Sequence, residues 1–310
     1  MLKERSRGHP RTPGELNIPR RRRAYCGLNA AQLTASGLGV LLEGGLAPQA
    51  SILSMIPPAS FAGIALGVMP WLLAGGTLAL HHGCDPKALD AQGEALGDAT
   101  LVLPGPALTP LADDGRLLAF KSLTALWRAP ERLANCAGWY CDAALVDAAA
   151  FGEAGLLAGK RGADGKPAPI PLGLIGAPRG SAGAATIAET ARTRFGTLAL
   201  RGPMVPALSF PAAAPLSPDG YLDTGFTCAS ADGALIVTGP PAGITAIGGY
   251  RFVQAAVDAL VAEADPAATI MAVPDGLLGQ RLAGQGLHCQ RLREANPLIA
   301  GAFPRQIRAA

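Results

Sequence analysis

The chain has 310 residues, 49% of them hydrophobic and 16% charged, with a mean hydropathy of +0.28. This excludes disorder of the whole chain, which needs low hydrophobicity and high charge, and it raises the question of a membrane span. The net charge of +3 belongs to the tail: residues 1–23 hold eight Lys/Arg and two Glu, while the rest holds 18 basic and 21 acidic residues, so the body gives no case for nucleic-acid binding.

The first segment, through Arg20–Arg23, has no apolar core of a secretory signal and reads as a disordered basic tail over residues 1–30. Residues 31–46 predict a helix with apolar positions at Leu33, Leu38, Leu41 and Leu42. Gly44 to Cys84 contains no Asp, Glu, Lys or Arg, which is long enough to span a bilayer. Its punctuation argues against that. Pro57-Pro58, Pro70 and Gly75-Gly76 divide it into a strand at Ser51–Ile56, a helix at Ser60–Ala74 and a strand at Thr77–Leu80. Pro70 should kink or shorten the helix. A wholly apolar strand–helix–strand run fits a buried parallel β-α-β unit, so no membrane span is expected.

Further strands are predicted at Thr100–Leu103, Leu123–Trp127, Ala144–Val146, Thr197–Leu200 and Leu235–Val237, with a short helix at Leu108–Asp114. Residues 159–183 read as turns and loops of a β region, and Asp219-Gly220 and Asp232-Gly233 as β-turns. A helix at Phe252–Ala264, a strand at Ala268–Val273 and a turn at Pro274–Gly276 follow a Pro/Gly-rich junction. The resulting division is a core over 31–238, a hinge at 239–243 and a small α+β unit over 244–310.

Chemical signals are sparse. No phosphate-binding GxxxxGK[ST] motif and no GxSxG elbow is present. The six cysteines are scattered without a CxxC or Cys/His cluster, which predicts neither zinc nor disulfides and suits a reducing, cytoplasmic compartment. His81-His82 would face opposite ways at a strand end, a surface pair at a sheet edge. Asp113-Asp114 are expected to be solvated. Glu153 lies in a Gly-flanked loop after an apolar run, where a carboxylate could reach Mg²⁺ on phosphate oxygens. Gly248-Gly249 could approach a ligand closely.

Taken in order, several segments resemble the adenylate-forming superfamily of AMP-dependent acyl-CoA synthetases, adenylation domains and luciferases. ILSMIPPASFAGIALGVMPWLLAGGTLAL (52–80) looks like its PLxHxxG region, LPGPALTPL (103–111) its GGAPL loop, and FGEAG (151–155) its YGxTE region. GTLALRGPMV (196–205), GYLDTG (220–225), GPPAGITAIGGYRF (239–252) and VPDGLLGQRL (273–282) match later motifs. The resemblance implies a partial adenylate-forming fold: an α/β core with a twisted mixed or parallel sheet and a β-rich part, then a small α+β lobe. It implies ATP or AMP with Mg²⁺, a carboxylic-acid or acyl substrate, and often CoA. It places Gly152, Glu153, Thr224, Gly248 and Gly249 at the nucleotide, with Glu153 at the metal.

The departures fall on ATP. The phosphate loop expected before residue 50 is missing, as is the late catalytic lysine, so no catalytic residue is assigned. Phe226 stands for the aspartate that holds the ribose, Pro240 for an arginine, Ser60 for the acyl-pocket histidine, and Ala149-Ala150 for the residues flanking adenine. Such electrostatic groups are worth about 10²–10³-fold each in rate. A truncated, impaired ligase is therefore expected, in which some ligase function survives if a partner chain supplies the missing lobe. The alternative is a non-catalytic relative that binds an acyl group or a protein.

Overall fold

The computed structural model describes residues 25–285 apart from 83–84, 180, 207, 211–215, 248–249, 265 and 276–278. Strand β1 (Tyr25–Gly27) opens it, within the span expected as tail. Helix α1 (Ala30–Gly44) follows, held by a reciprocal Asn29–Gln32 capping box and ended by Gly45 in the left-handed conformation. Its leucines are only half-buried. The tight face consists of Ser36, Gly37, Gly39, Val40 and Glu43, small enough at Gly37 that an added Cβ would lie 2.3 Å from Met69 Cβ. Close helix approach, rather than leucine packing, seats α1.

Next come β2 (Ser51–Ser54), α2 (Phe61–Gly63), α3 (Met69–Ala74) and β3 (Thr77–Leu80). A five-residue π-helical segment, Ile64–Val68, joins α2 to α3. It explains how Pro70 is tolerated: the wider turn absorbs the missing backbone donor, so the helical run continues instead of ending. The chain then forms α4 (Pro86–Leu96), β4 (Ala99–Pro104), α5 (Leu108–Asp113), β5 (Ser122–Trp127), β6 (Ala144–Ala150) and β7 (Leu156–Lys160).

These strands make a six-stranded sheet in the order β3-β2-β4-β5-β6-β7, parallel except for β7. Both faces are covered. Val40, Ile52, Leu66, Val102, Leu126 and Val146 pack on the side of α1 to α3, and Leu53, Leu89, Leu101, Leu103, Leu123 and Leu145 on the other. Full burial on two faces is why β4 reads as an unbroken apolar run. No helix among the described residues is long and apolar enough to cross a membrane, although Leu72 and Leu73 of α3 are exposed.

His81 corrects the expected surface pair. It follows the edge strand β3 but is buried, with Nδ1 2.8 Å from Gln92 Oε1 of α4, while His82 is exposed. Helix α4 itself was not foreseen. Asp85 caps it by accepting from Lys87 N (3.0 Å) and Ala88 N (3.3 Å), and Pro86 occupies its first turn.

The β-rich part contains β8 (Ile170–Pro171), β9 (Gly173–Ala177), β10 (Ala185–Arg192), β11 (Thr197–Arg201), β12 (Leu208–Phe210), β13 (Leu222–Ala231) and β14 (Ala234–Gly239). Strand β12 pairs with β1. The others form an antiparallel sheet in the order β8-β14-β13-β11-β10-β9. Because β8 and β9 are consecutive through Leu172, both ends of this sheet meet in one stretch of chain and the sheet closes on itself. The Thr190 hydroxyl stitches the closure by donating to the carbonyls of Pro171 and Gly173.

Strands β15 (Ile244–Ile247) and β16 (Tyr250–Val253), helix α6 (Gln254–Ala264), and strands β17 (Thr269–Asp275) and β18 (Gly279–Gln285) form the last unit. Its sheet order is β16-β15-β18-β17, over a separate core of Ile247, Val257, Val261 and Leu282. Phe252 and Val253 end a strand instead of starting the helix. Pro274 and Asp275 end β17, where a turn was expected.

One buried ion pair crosses the parallel sheet. Asp147 of β6 accepts from Arg161 Nε at 2.7 Å, Arg161 Nη2 at 3.1 Å and Trp127 Nε1 at 2.8 Å. Breaking a buried pair leaves an uncompensated charge and costs about 3–5 kcal/mol. Asp147→Ala is therefore expected to lower unfolding stability by about that much in urea denaturation. A loss below about 1 kcal/mol would contradict this role for the pair.

Candidate functional site

In open α/β sheets ligands sit outside the carboxyl ends of the parallel strands. Here those ends are Ser54, Pro104, Trp127 and Ala150. Beyond β6 the chain must reverse into antiparallel β7. Phe151 N–H donates to Gly155 O (3.0 Å) and Ala154 N–H to Phe151 O (3.2 Å), with Gly152 at φ 64°. Only a residue tolerant of that left-handed conformation fits. Glu153 is exposed at the tip of this turn.

Thr224 lies on β13, where alternation decides what faces inward. Leu222, Thr224, Phe226 and Cys228 are buried, while Asp223 and Thr227 are exposed. The Thr224 hydroxyl donates to Leu198 O (2.7 Å) and accepts from Phe226 N (3.3 Å). Asp223 Oδ1 accepts from Gly225 N at 2.8 Å. Gly225 has φ 75°, and a Cβ there would lie 3.1 Å from Pro241 Cβ in the connector after β14. A side chain is thus disfavoured by conformation and would press on Pro241.

The turn after β6 and the middle of β13 meet through two rings. Phe151 and Phe226 lie edge to face, 5.4 Å between centroids and 86° between planes, and both are fully buried. This contact joins the turn that carries Gly152 and Glu153 to the strand that carries Thr224, three of the five residues assigned to the nucleotide. Gly248 and Gly249 lie outside the described residues.

Among the described residues, the middle of β13 does not fit an adenine nucleotide with its metal. A ribose hydroxyl needs an acceptor, and Phe226 offers a buried ring instead. The Thr224 hydroxyl is committed to the strand beside it. Asp223, the neighbouring carboxylate, lies on the opposite face of β13. Among the described residues no three His, Cys, Asp or Glu side chains gather to hold a metal ion. Ser60, in the place of the acyl-pocket histidine, is a helix cap: Oγ accepts from Gly63 N (3.0 Å) and donates to Pro57 O (2.9 Å).

Sequence reasoning missed the polar network behind this edge. Arg161 also donates to Ala137 O (2.9 Å), Gly165 O (3.2 Å) and Cys136 Sγ (3.0 Å). Burial works against its charge, but Asp147 raises its pKa all the same. Burial likewise pushes the Cys136 thiol up, against the pull of Arg161. The available signal was Asp147 itself, a lone carboxylate inside the apolar run ALVDAAA, which must be paired if that run is buried. Trp127 lies against Gly105, where an added Cβ would meet the indole at 2.6 Å. Glu43 of α1 ties down two further segments by accepting from Lys160 N (3.1 Å) and Arg179 N (2.6 Å). A cleft of about 290 Å³ near Phe120, Lys121, Trp139 and Cys141 lies at the opposite, amino ends of β5 and β6.

No protein-family profile matches the sequence, and no curated protein matches it either. Solved structures do. A malonyl-CoA ligase in a ternary product complex with methylmalonyl-CoA and AMP superposes with a TM-score of 0.65 at 18% identity, covering 91% of this chain and 67% of that one. The amide bond synthetase McbA from Marinactinospora thermotolerans gives 0.61 at 18%, covering 86% and 57%. The o-succinylbenzoate CoA synthetase MenE from Bacillus subtilis gives 0.65 at 15%, covering 91% and 61%. The chain thus spans about three-fifths to two-thirds of the length of these relatives in fold. At such identities the likeness establishes the fold, which is that of adenylate-forming ligases in part.

Because Thr224 is bonded on both sides, its hydroxyl is read here as structural. Thr224→Val should cost about 1–3 kcal/mol by leaving buried backbone groups unsatisfied. Asp223→Asn on the outer face should change stability by less than about 0.5 kcal/mol. Thermal melts of the two variants check this; equal effects would contradict it.

Proposed function

We propose that this chain, which carries part of the adenylate-forming ligase fold, is a divergent relative of the acyl-adenylate-forming ligases and does not adenylate a carboxylic acid on its own. The ancestral reaction joins a carboxylate to ATP as an acyl-adenylate and then transfers the acyl group, often to CoA. The observation that carries the proposal is the Phe151–Phe226 contact, which puts a packed aromatic pair where the resemblance expects a ribose-binding carboxylate. As a non-catalytic relative it would bind an acyl group, a carboxylic acid or a protein partner.

Glu153 favours a second reading. It stands exposed in the turn after β6, where the resemblance expects a metal-binding carboxylate. Under that reading a partner chain supplies the missing lobe and Mg²⁺-dependent ligase chemistry survives in the complex. The division into a core, a hinge at 239–243 and a small C-terminal domain belongs to this proposal. It is supported by the separate core over β15–β18 and α6 and by the Pro/Gly connector. A cytoplasmic location is proposed from Cys136, Cys141 and Cys228, which are free.

ATP–pyrophosphate exchange with a panel of carboxylic acids tests the proposal. The purified chain is expected to give no exchange above background, and Glu153→Gln should match the wild type in both exchange and melting. Mg²⁺-dependent exchange that falls sharply in Glu153→Gln, with an unaltered melt, would overturn it.

A further inference from the structure

We infer that the cleft at the amino ends of β5 and β6 is a binding site for a small organic amine, whose apolar part packs against Phe120 and Trp139 and whose ammonium pairs with Asp142. The site lies at the edge of the parallel sheet opposite the turn that carries Glu153, so the inference goes beyond the proposed function and does not depend on it.

Two neighbouring strands build the cleft. Strands β5 and β6 pair in parallel from Ser122 and Ala144 onward, so the segments that lead into them, 117–121 and 139–143, lie side by side. Protein contacts fix both segments. Phe120 N–H donates to Leu117 O (3.2 Å) and Lys121 N–H to Ala99 O (3.2 Å). The Phe120 ring rests on α4 at Gly93, where an added Cβ would lie 3.0 Å from Cζ. Trp139 N–H donates to Gly165 O (2.9 Å) and its indole Nε1 to Ala143 O (2.9 Å). Walls held in this way have little freedom left to lose on binding, which favours affinity.

The lining decides the class of ligand. The cleft holds about 290 Å³, at the lower end of the range of about 300–1,000 Å³ for ligand pockets, so it suits one ring with a short side chain. Leu117 and Phe120 give it an apolar floor, and Leu118 stands 84% exposed beside them. Two charged side chains line it, Lys121 and Asp142. Lys121 Nζ already lies 3.7 Å from Asp98, in an exposed pair. Asp142 has no ion-pair or hydrogen-bond partner among the described residues. The uncompensated charge at the cleft is therefore negative. An ammonium there gains a carboxylate and an indole, the ring that attracts cations best. A carboxylate would face Asp142 as a like charge and compete with Asp98 for Lys121. The indole N–H, already bonded to Ala143 O, has no hydrogen bond to offer an anion.

Cys141 lines the same cleft as an exposed free thiol and reports on its occupancy. Alkylation of the full chain by iodoacetamide is followed by peptide mass spectrometry, with the buried Cys228 as internal control. Phenethylamine and phenylacetate are compared, since they share a ring and differ in the sign of their charge. Phenethylamine at a few millimolar is expected to slow alkylation of Cys141 several-fold, with a dissociation constant of about 1 mM. Phenylacetate should leave the rate unchanged. Asp142→Asn should weaken the amine by about two- to fivefold, the range of an exposed ion pair, and Asp142→Lys should reverse the preference. Each variant is compared with itself without ligand, so a changed thiol reactivity cancels. Equal protection by the two compounds, no protection by phenethylamine, or undiminished protection in Asp142→Asn would each overturn the inference. Pyrophosphate exchange, which tests the proposed function, is expected to be the same whichever result is found.

Discussion

Strand β6 is the constraint on which this structure depends. It lies between β5 and β7 with both faces buried, and it carries a carboxylate in its centre. A buried charge must be paired and hydrogen-bonded. Arg161, just beyond β7, meets that demand and brings the carbonyls of Ala137 and Gly165 with it. Trp127 donates the third bond from β5 and lies on Gly105 at the end of β4. One carboxylate thus fixes the relative positions of three strands and two loops. Asp147 stabilises little in net terms by being charged, but its partners cannot be moved cheaply.

The same strand delivers the candidate site. Its last residue leads into Phe151, and the turn behind Phe151 carries Gly152 and Glu153. In a ligand-binding α/β protein this edge would be open. Here it is filled by contact with β13. The closed β-sheet and the parallel sheet share a core at this point, so repacking the edge also joins the two layers.

Much of the architecture was legible. The apolar runs beginning at 51, 100 and 123 are strands because burial on both faces selects continuous hydrophobicity, the edge run 77–80 pairs beside them only half-buried, and proline and glycine mark the boundaries. Helix α4 was not legible by period, since Leu89 and Gly93 are its only buried residues; its signal was the Asp85-Pro86 start. Strands β9 and β10 were hidden because glycine, alanine and threonine dominate them, and tertiary pairing overrides weak propensity there. Helix α1 was placed correctly, but its buried face was misread because glycines, not leucines, make the close contact.

At the site, the sequence pointed to the turn bearing Glu153 and to the strand bearing Thr224, and it named Phe226 as a departure. It could not reveal that Phe226 meets Phe151, since ring contact depends on how two distant segments pack. The most direct measurement is calorimetric titration of the purified chain with Mg·ATP and with AMP. The packed Phe151–Phe226 pair predicts no binding in the micromolar range for either nucleotide. A micromolar dissociation constant for ATP would contradict it.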